Sequence, residues 1–116
     1  MINLKRGDVV LVWFPNSDLK TFKRRPALVV QADALNTGLP QVVLTMITSN
    51  LARRDHPSRV FVALQSPQAQ GTGLRTDSII MTDNLATVLH QAIAEKIGHL
   101  AELSEVNRAL RATLGL

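Results

Sequence analysis

Short runs of branched and aromatic apolar residues, separated by turn-forming residues, constrain the fold of this chain more than any other feature. The runs are Val9–Phe14, Ala27–Gln31, Val42–Ile47, Val60–Leu64 and Ser78–Thr82. Each run is too short for a stable helix and is flanked by Gly, Pro, Asn, Asp or Ser, which is typical of β-strands. Several short strands joined by turns predict a small barrel or a twisted sheet.

The C-terminal segment is the stretch whose apolar residues follow helical spacing. Its apolar stripe consists of Leu103, Val106, Leu110 and Leu114. This pattern predicts a helix over about residues 101–114, ended by Gly115. The segment Leu85–Ile97 fits both helical and strand spacing and stays ambiguous. We therefore predict a mainly β fold with a C-terminal helix, in one domain of 116 residues.

The composition excludes several classes of protein. The chain has no cysteine, which removes disulfides, thiolate metal sites and cysteine nucleophiles and fits a reducing compartment. No apolar stretch reaches the roughly 18 residues of a membrane helix. The N-terminus also lacks the long apolar region of a signal peptide. We expect a cytoplasmic protein that does not associate with membranes.

Positive charge is concentrated in two clusters, Lys20–Arg25 and Arg53–Arg59, within a net charge of +4. Such local basic patches favour a polyanionic partner, either nucleic acid or an acidic protein segment. In the first cluster we predict that Leu19–Arg25 forms a loop. Pro26 then restricts the backbone of Arg25 at the entrance to a buried strand, a geometry that suits a functional guanidinium. A solvated basic turn is the alternative interpretation.

The remaining candidate chemistry suits a phosphodiester. His56, His90 and His99 are isolated and no metal-binding spacing is present, so we expect no metal or cofactor. Arg25 can present a planar fork of donors to phosphate oxygens. Neutral donors near strand ends and turns are Thr48, Ser49, Asn50 and Ser17, with Asp18 beside the last. Each of these residues could equally satisfy its own local backbone.

The order of several motifs resembles one family. GDVV, WFP and SD are followed by KRRPALVV, by a strand ending in ITSN, by TDSIIMTDNLAT and KIGHL, and by a terminal ALRATLGL. In this order the motifs resemble the MazF/PemK toxins of bacterial toxin–antitoxin pairs, over essentially the whole chain. The resemblance implies a small SH3-like β-barrel of the MazF/PemK/CcdB type and a homodimer. It also implies a sequence-specific endoribonuclease that cuts single-stranded mRNA without metal, and a separate, acidic antitoxin as partner.

The resemblance also assigns residues. Arg25 and Thr48 match the family's catalytic pair, while Asn84 and Ala86 stand where many members carry Gln and Arg. In the implied reaction the ribose 2′-OH attacks the adjacent phosphorus, Arg25 neutralises the developing charge, and Thr48 donates a hydrogen bond to it. Residues expected to contact RNA are Ser17, Asp18, Lys20, Phe22, Lys23, Arg24, Ser49, Asn50, Arg53, Arg54 and Asn84. Phe22 is the candidate stacking surface, whereas Trp13 is expected in the core or a dimer interface.

Two alternatives and one further hypothesis stay open. A toxin of the same fold could act on DNA gyrase, which would not need the pair of Arg25 and Thr48. A catalytically silent nucleic-acid-binding module is compatible with the departures at Asn84 and Ala86. His56 could serve as the base of the reaction, although an ordinary loop histidine is the simpler interpretation.

Overall fold

Six antiparallel strands and one helix form the part of the chain, residues 3–116, that a computed structural model describes. The elements are β1 (Asp8–Pro15), β2 (Phe22–Val29), β3 (Gln41–Thr48), β4 (Arg59–Val62), β5 (Ser78–Leu89), β6 (Ile93–His99) and α1 (Ser104–Leu114). Single turns of 3-10 helix lie at Pro67–Ala69 and His90–Ala92. The predicted mainly β fold with a C-terminal helix is confirmed. No helix of this part of the chain has the length and apolar character that crossing a bilayer requires.

The strands form one sheet in the order β4-β5-β3-β2-β1-β6. Within the described residues β4 and β6 are open edges, so this sheet is not closed into a barrel. Closure of the predicted SH3-like barrel stays a prediction. The first two residues of the lead-in to β1 lie outside the described residues.

Both faces of the sheet are buried. Because side chains alternate between faces along a strand, Leu28 joins one core and its neighbour Val29 joins the other. Helix α1 covers the first core with Val106 and Ala109. The second core lies on the opposite face and includes Val10, Val12, Ala27, Val29, Val42, Leu44, Met46 and Ile93. This double burial explains why the strand runs read as continuously apolar.

The basic segment before Pro26 belongs to strand β2, so the predicted loop over Leu19–Arg25 is wrong from Phe22 onward. Antiparallel pairing with β1 begins at Pro15 opposite Phe22 and includes Val12 opposite Arg25. Strand pairing uses backbone groups only, so it tolerates a run of exposed cations. A short turn over residues 16–21 closes the hairpin, with the Asn16 N–H donating to the Thr21 carbonyl at 2.8 Å.

Strand β5 continues to Leu89, so the predicted strand end at Asp83 and Asn84 is also wrong. Thr45 of β3 pairs with Leu85 while its neighbour Met46 pairs with Met81. Residues 82–84 therefore form an insertion that has no partner in β3. An insertion with an odd number of residues exchanges the two faces of a strand. Met81 before the insertion and Ala86 and Val88 after it therefore all pack against the second core. The ambiguous segment Leu85–Ile97 becomes strand, one 3-10 turn and strand.

Asp8 fastens edge strand β6 to the start of β1. Its side chain is 1% exposed and accepts hydrogen bonds from the Lys5 N–H at 2.7 Å and from His99 Nδ1 at 2.8 Å. The Lys96 ammonium lies 3.3 Å away. Burial by itself would raise the pKa of Asp8, but the bonds from Lys5, His99 and Lys96 outweigh it and lower the pKa below its ordinary value of 3.8. A buried carboxylate is stable here because it is fully partnered.

Replacing Asp8 with asparagine is expected to lower the free energy of unfolding by about 2 kcal/mol at neutral pH, because its partners lose a charged acceptor. The pKa of Asp8 is lower in the folded than in the unfolded chain. Its contribution is therefore complete above about pH 4 and is lost as the pH falls through the folded-state pKa. Urea unfolding at a series of pH values from about 7 to about 2 measures this. If the free energy of unfolding fell equally with pH in wild type and in Asp8→Asn, the result would contradict the prediction.

Candidate active site

Arg25 and Thr48 are brought together by the register of β2 and β3. Ala27 pairs with Met46 and Leu28 pairs with Thr45. Continued by two residues beyond the last pair, the same register would set Arg25 opposite Thr48. Residues two apart on a strand share a face, and residues directly opposite share a face across the pair. The ladder stops at Ala27, so Arg25 and Thr48 lie where the two strands separate.

A surface groove of about 900 Å³ opens at this point and includes both residues in its lining. One wall comes from β1, β2 and the end of β3, and contains Leu11, Lys23, Arg24, Arg25, Pro26, Ile47, Thr48 and Ser49. The rest of the lining, called here the second wall, comes from the loop before β5, the first residue of β5 and strand β6, and contains Gly73, Leu74, Arg75, Thr76, Ser78, Glu95, Lys96 and Ile97. A groove of this volume accommodates a ligand of nucleotide size or larger.

The donors of the central pair are available for an anion. The Thr48 hydroxyl oxygen accepts a hydrogen bond from the Asn50 N–H at 3.1 Å, which leaves its own proton free to donate outward. The side chain of Arg25 is exposed and has no hydrogen bond or ion pair among residues 3–116. A cation and an oriented hydroxyl at one strand opening form an anion-binding pair.

Three of the predicted RNA-contacting residues line the groove, namely Lys23 and Arg24 on β2 and Ser49 after β3. Arg24 forms an ion pair with Glu95 and lies 5.7 Å from the centre of the Trp13 ring. Much of its charge is therefore already compensated within the chain. Trp13 itself is 46% exposed, so its predicted place in the core is wrong, while a place in a dimer interface stays a prediction.

The turn between β1 and β2 lies outside the groove lining and is held by Asp18. Its carboxylate accepts the N–H groups of Thr21 and Lys20 and the Thr21 hydroxyl, and these backbone hydrogen bonds lower its pKa. Asp18 therefore has the local turn-forming role that the sequence left as an alternative. Ser17 and Lys20 are exposed in the same turn, and Phe22 is 59% exposed on the strand that follows.

Several polar groups in the turn after β3 already have partners within the chain. The Asn50 side-chain oxygen accepts the Ala52 N–H at 3.0 Å, and Arg54 lies 5.3 Å from the Phe61 ring centre. Arg53 is exposed. His56 Nδ1 accepts the Ser58 N–H at 3.1 Å and lies within 2.8 Å of the Ser58 hydroxyl. None of these residues lines the groove.

Asn84 lies in the three-residue insertion of β5, away from the groove lining. Its side chain is exposed and its carbonyl accepts a 3.4 Å hydrogen bond from the Thr45 hydroxyl. The adjacent Asp83 forms a two-bond pair with Arg59, whose hydrogen bonds lower the pKa of Asp83. Asn84 therefore belongs to a bend that is fixed by backbone contacts.

The sequence analysis missed the second wall of the groove. Arg75 and Lys96 both line it, yet neither was among the predicted site residues. The available signal was a cation directly after the Gly71-Thr72-Gly73 turn. Its significance depends on β6 pairing with β1, with Val9 opposite Gly98, which no local pattern reveals. Among residues 3–116 no group of three or more His, Cys, Asp or Glu side chains could hold a metal ion.

An antiparallel sheet, one terminal helix and a basic groove at a strand opening define a small β protein with an anion-binding surface. The chain belongs to the family of PemK-like, MazF-like toxins of type II toxin–antitoxin systems, whose family model matches residues 5–114. It is 33% identical over 105 residues to the endoribonuclease MazF6 of Mycobacterium tuberculosis, covering 88% of each chain. It is 29% identical over 116 residues to the endoribonuclease EndoA of Bacillus subtilis, covering 97% of this chain and 96% of EndoA.

Solved structures share the fold over nearly the whole chain. A mycobacterial endoribonuclease in complex with its cognate antitoxin superposes with a TM-score of 0.73 at 24% identity, covering 98% of this chain and 97% of its own. A MazE–MazF structure from Deinococcus radiodurans gives a TM-score of 0.73 at 21% identity, covering 100% and 99%. At these identities the likeness establishes the fold.

Proposed function

We propose that this chain is a metal-independent endoribonuclease that cuts single-stranded mRNA at specific sequences. The observation that supports the proposal is that Arg25 and Thr48 line one groove, just beyond the last paired residues of β2 and β3. Relatives that match 88% and 97% of the chain are named endoribonucleases, which supports the reaction class. Single-stranded RNA is the expected substrate form, because its unstacked bases can be read in a groove whereas duplex RNA hides its base edges.

The proposed reaction is a transesterification. The ribose 2′ oxygen attacks the adjacent phosphorus and loses its proton, the bond to the 5′ oxygen breaks, and that oxygen is protonated as it leaves. Negative charge builds on the equatorial phosphate oxygens in the transition state. Arg25 offers these oxygens a charged planar fork, and Thr48 donates its hydroxyl proton. A guanidinium retains its proton at neutral pH, so Arg25 suits charge stabilisation and does not suit the role of base.

The toxin is expected to act as a homodimer that an acidic antitoxin neutralises. Apolar side chains stay exposed on β5, with Leu85 at 36% and Leu89 at 47% exposure, and a second copy would cover such a surface. Type II systems, to which the family belongs, pair a toxin with an antitoxin. An acidic segment that orders on binding is the natural competitor of RNA for a basic groove. The expected compartment is the cytoplasm, where mRNA is translated.

Cleavage of a long unstructured RNA in excess EDTA is expected to give discrete fragments with 2′,3′-cyclic phosphate and 5′-hydroxyl ends, because the 2′ oxygen is the nucleophile. An oligonucleotide that spans one mapped cut site serves as substrate. The same oligonucleotide with a single 2′-O-methyl group at the cut is its matched control and is expected to stay intact. Cleavage of the methylated control, 5′-phosphate ends or complete loss of activity in EDTA would contradict the proposal.

A further inference from the structure

Arg75 is an exposed cation in the second wall of the groove that contains Arg25 and Thr48. We propose that Arg75 binds a second backbone phosphate of the polynucleotide, next to the phosphate held by Arg25 and Thr48. The inference rests on the proposed function and deepens it, because it names how the same groove holds its substrate. It makes Arg75 a binding residue that does not touch the reacting atoms.

The backbone that presents Arg75 is fixed against strand β6. The His99 N–H donates to the Gly71 carbonyl at 2.8 Å. A Cβ at Gly98 would lie 2.3 Å from the Gly71 carbonyl oxygen, and a Cβ at Gly73 would lie 2.3 Å from the Ile97 carbonyl oxygen. Glycine at both positions therefore permits a backbone-to-backbone contact that side chains would prevent. The loop that precedes Arg75 is therefore held in direct backbone contact with β6.

The residues flanking Arg75 are also held in place. On one side Leu74 packs against the first core, and its N–H donates to the Thr72 hydroxyl at 3.3 Å. On the other side the Ser78 hydroxyl donates to the Thr76 carbonyl at 2.9 Å. The nearest carboxylate in sequence, Asp77, accepts the Leu64 N–H at 2.7 Å. The Arg75 side chain is thus exposed while the backbone on both sides of it is fixed. A fixed backbone lowers the conformational entropy that is lost when a ligand binds.

Unpaired positive charge in the groove selects a ligand with more than one negative charge. Five cations line the groove, of which Arg24 pairs with Glu95 and Lys96 pairs with Asp8. The three cations without an ion pair among residues 3–116 are Lys23, Arg25 and Arg75. Two of them lie on β2 and the third lies in the loop before β5. A polynucleotide carries a phosphate at every nucleotide, so it can offer a separate phosphate to each segment.

A phosphate is the group that fits Arg75, because a guanidinium binds two phosphate oxygens with parallel hydrogen bonds. Such a contact does not depend on the base, so it positions the strand and leaves sequence recognition to other residues. Base recognition by Arg75 is the competing role, and the experiment separates the two by comparing sequences.

The test is equilibrium binding of single-stranded DNA oligonucleotides, which carry the same phosphates as RNA and have no 2′-OH to react. Arg75→Ala is expected to bind about tenfold more weakly than wild type on two unrelated sequences. Its slope of log affinity against log salt is expected to be shallower by about 0.7, the value of one phosphate contact. Arg75→Lys should keep the wild-type slope. Arg111→Ala removes an exposed arginine on α1 outside the groove and should match wild type throughout.

Three results would overturn the inference. They are an unchanged salt slope in Arg75→Ala, a loss confined to one base sequence, and no binding of either oligonucleotide by the wild-type protein. RNA cleavage by the same wild-type preparation is measured in parallel. Absent cleavage with Arg75-dependent DNA binding would refute the proposed ribonuclease and leave the Arg75 site standing. Normal RNA cleavage with an unchanged salt slope in Arg75→Ala would refute the Arg75 site and leave the proposed ribonuclease standing.

Discussion

Replacing Arg25 with alanine is expected to lower RNA cleavage by about 10²–10³-fold, and Thr48→Ala by a similar factor. In the proposed mechanism each change removes a preorganised donor to the charge of the transition state. Both residues line the groove just beyond the last pair of β2 and β3, so we expect them to act on the same phosphate. Effects of residues that act as a unit are not additive, and the double variant should lose less than the product of the two single losses.

The measurement is the single-turnover cleavage rate at saturating protein, which separates chemistry from binding. Arg111→Ala is a suitable control, because Arg111 is an exposed cation on α1 and lies outside the groove lining. It should change the rate little. Thermal unfolding of Arg25→Ala should match wild type, since the Arg25 side chain has no hydrogen bond or ion pair among residues 3–116. Thr48→Ala loses the hydrogen bond from the Asn50 N–H and should unfold at a slightly lower temperature. A rate within a few-fold of wild type in Arg25→Ala would refute the assigned pair.

Replacing Gly98 with alanine is expected to cause the largest loss of stability, about 3 kcal/mol in the free energy of unfolding. The new methyl group would lie 2.3 Å from the Gly71 carbonyl oxygen and 2.3 Å from the Thr72 carbonyl carbon. These are backbone atoms, so the loop must move as a whole. The displaced loop carries Arg75 with it, and binding of single-stranded nucleic acid should weaken as well.

Gly38→Ala is the matched control for this prediction. Gly38 has a φ of +75° and nothing within 4 Å of an added Cβ, so the substitution adds backbone strain without a collision. The expected loss is about 1 kcal/mol, with unchanged nucleic-acid binding. Urea unfolding and oligonucleotide binding measure the two effects. Equal stability losses in the two variants would show that the contact between the loop and β6 is not tightly packed.

Strand existence was predictable from sequence, because it depends on local composition. Runs such as Val42–Ile47 contain branched apolar residues that suit a pleated, buried surface, and turn residues bound them. The ends of a strand were not predictable where backbone pairing includes polar residues. Phe22–Arg25 is exposed and contains three cations, yet the turn held by Asp18 brings it into register with β1. The C-terminal helix was predicted three residues too early at its N-terminal end, since it begins at Ser104.

The candidate site divides in the same way. Arg25 and Thr48 could be singled out from sequence, because a cation before Pro26 and a hydroxyl at a strand end suit phosphate and match one family. The sequence by itself thus determined the strand and helix content, the basic character and the family. The groove that includes both residues in its lining, the ion pair that compensates Arg24 and the loop contact that holds Arg75 were decided by tertiary structure alone. They arise from pairings between residues far apart in the chain, for which local sequence carries no signal.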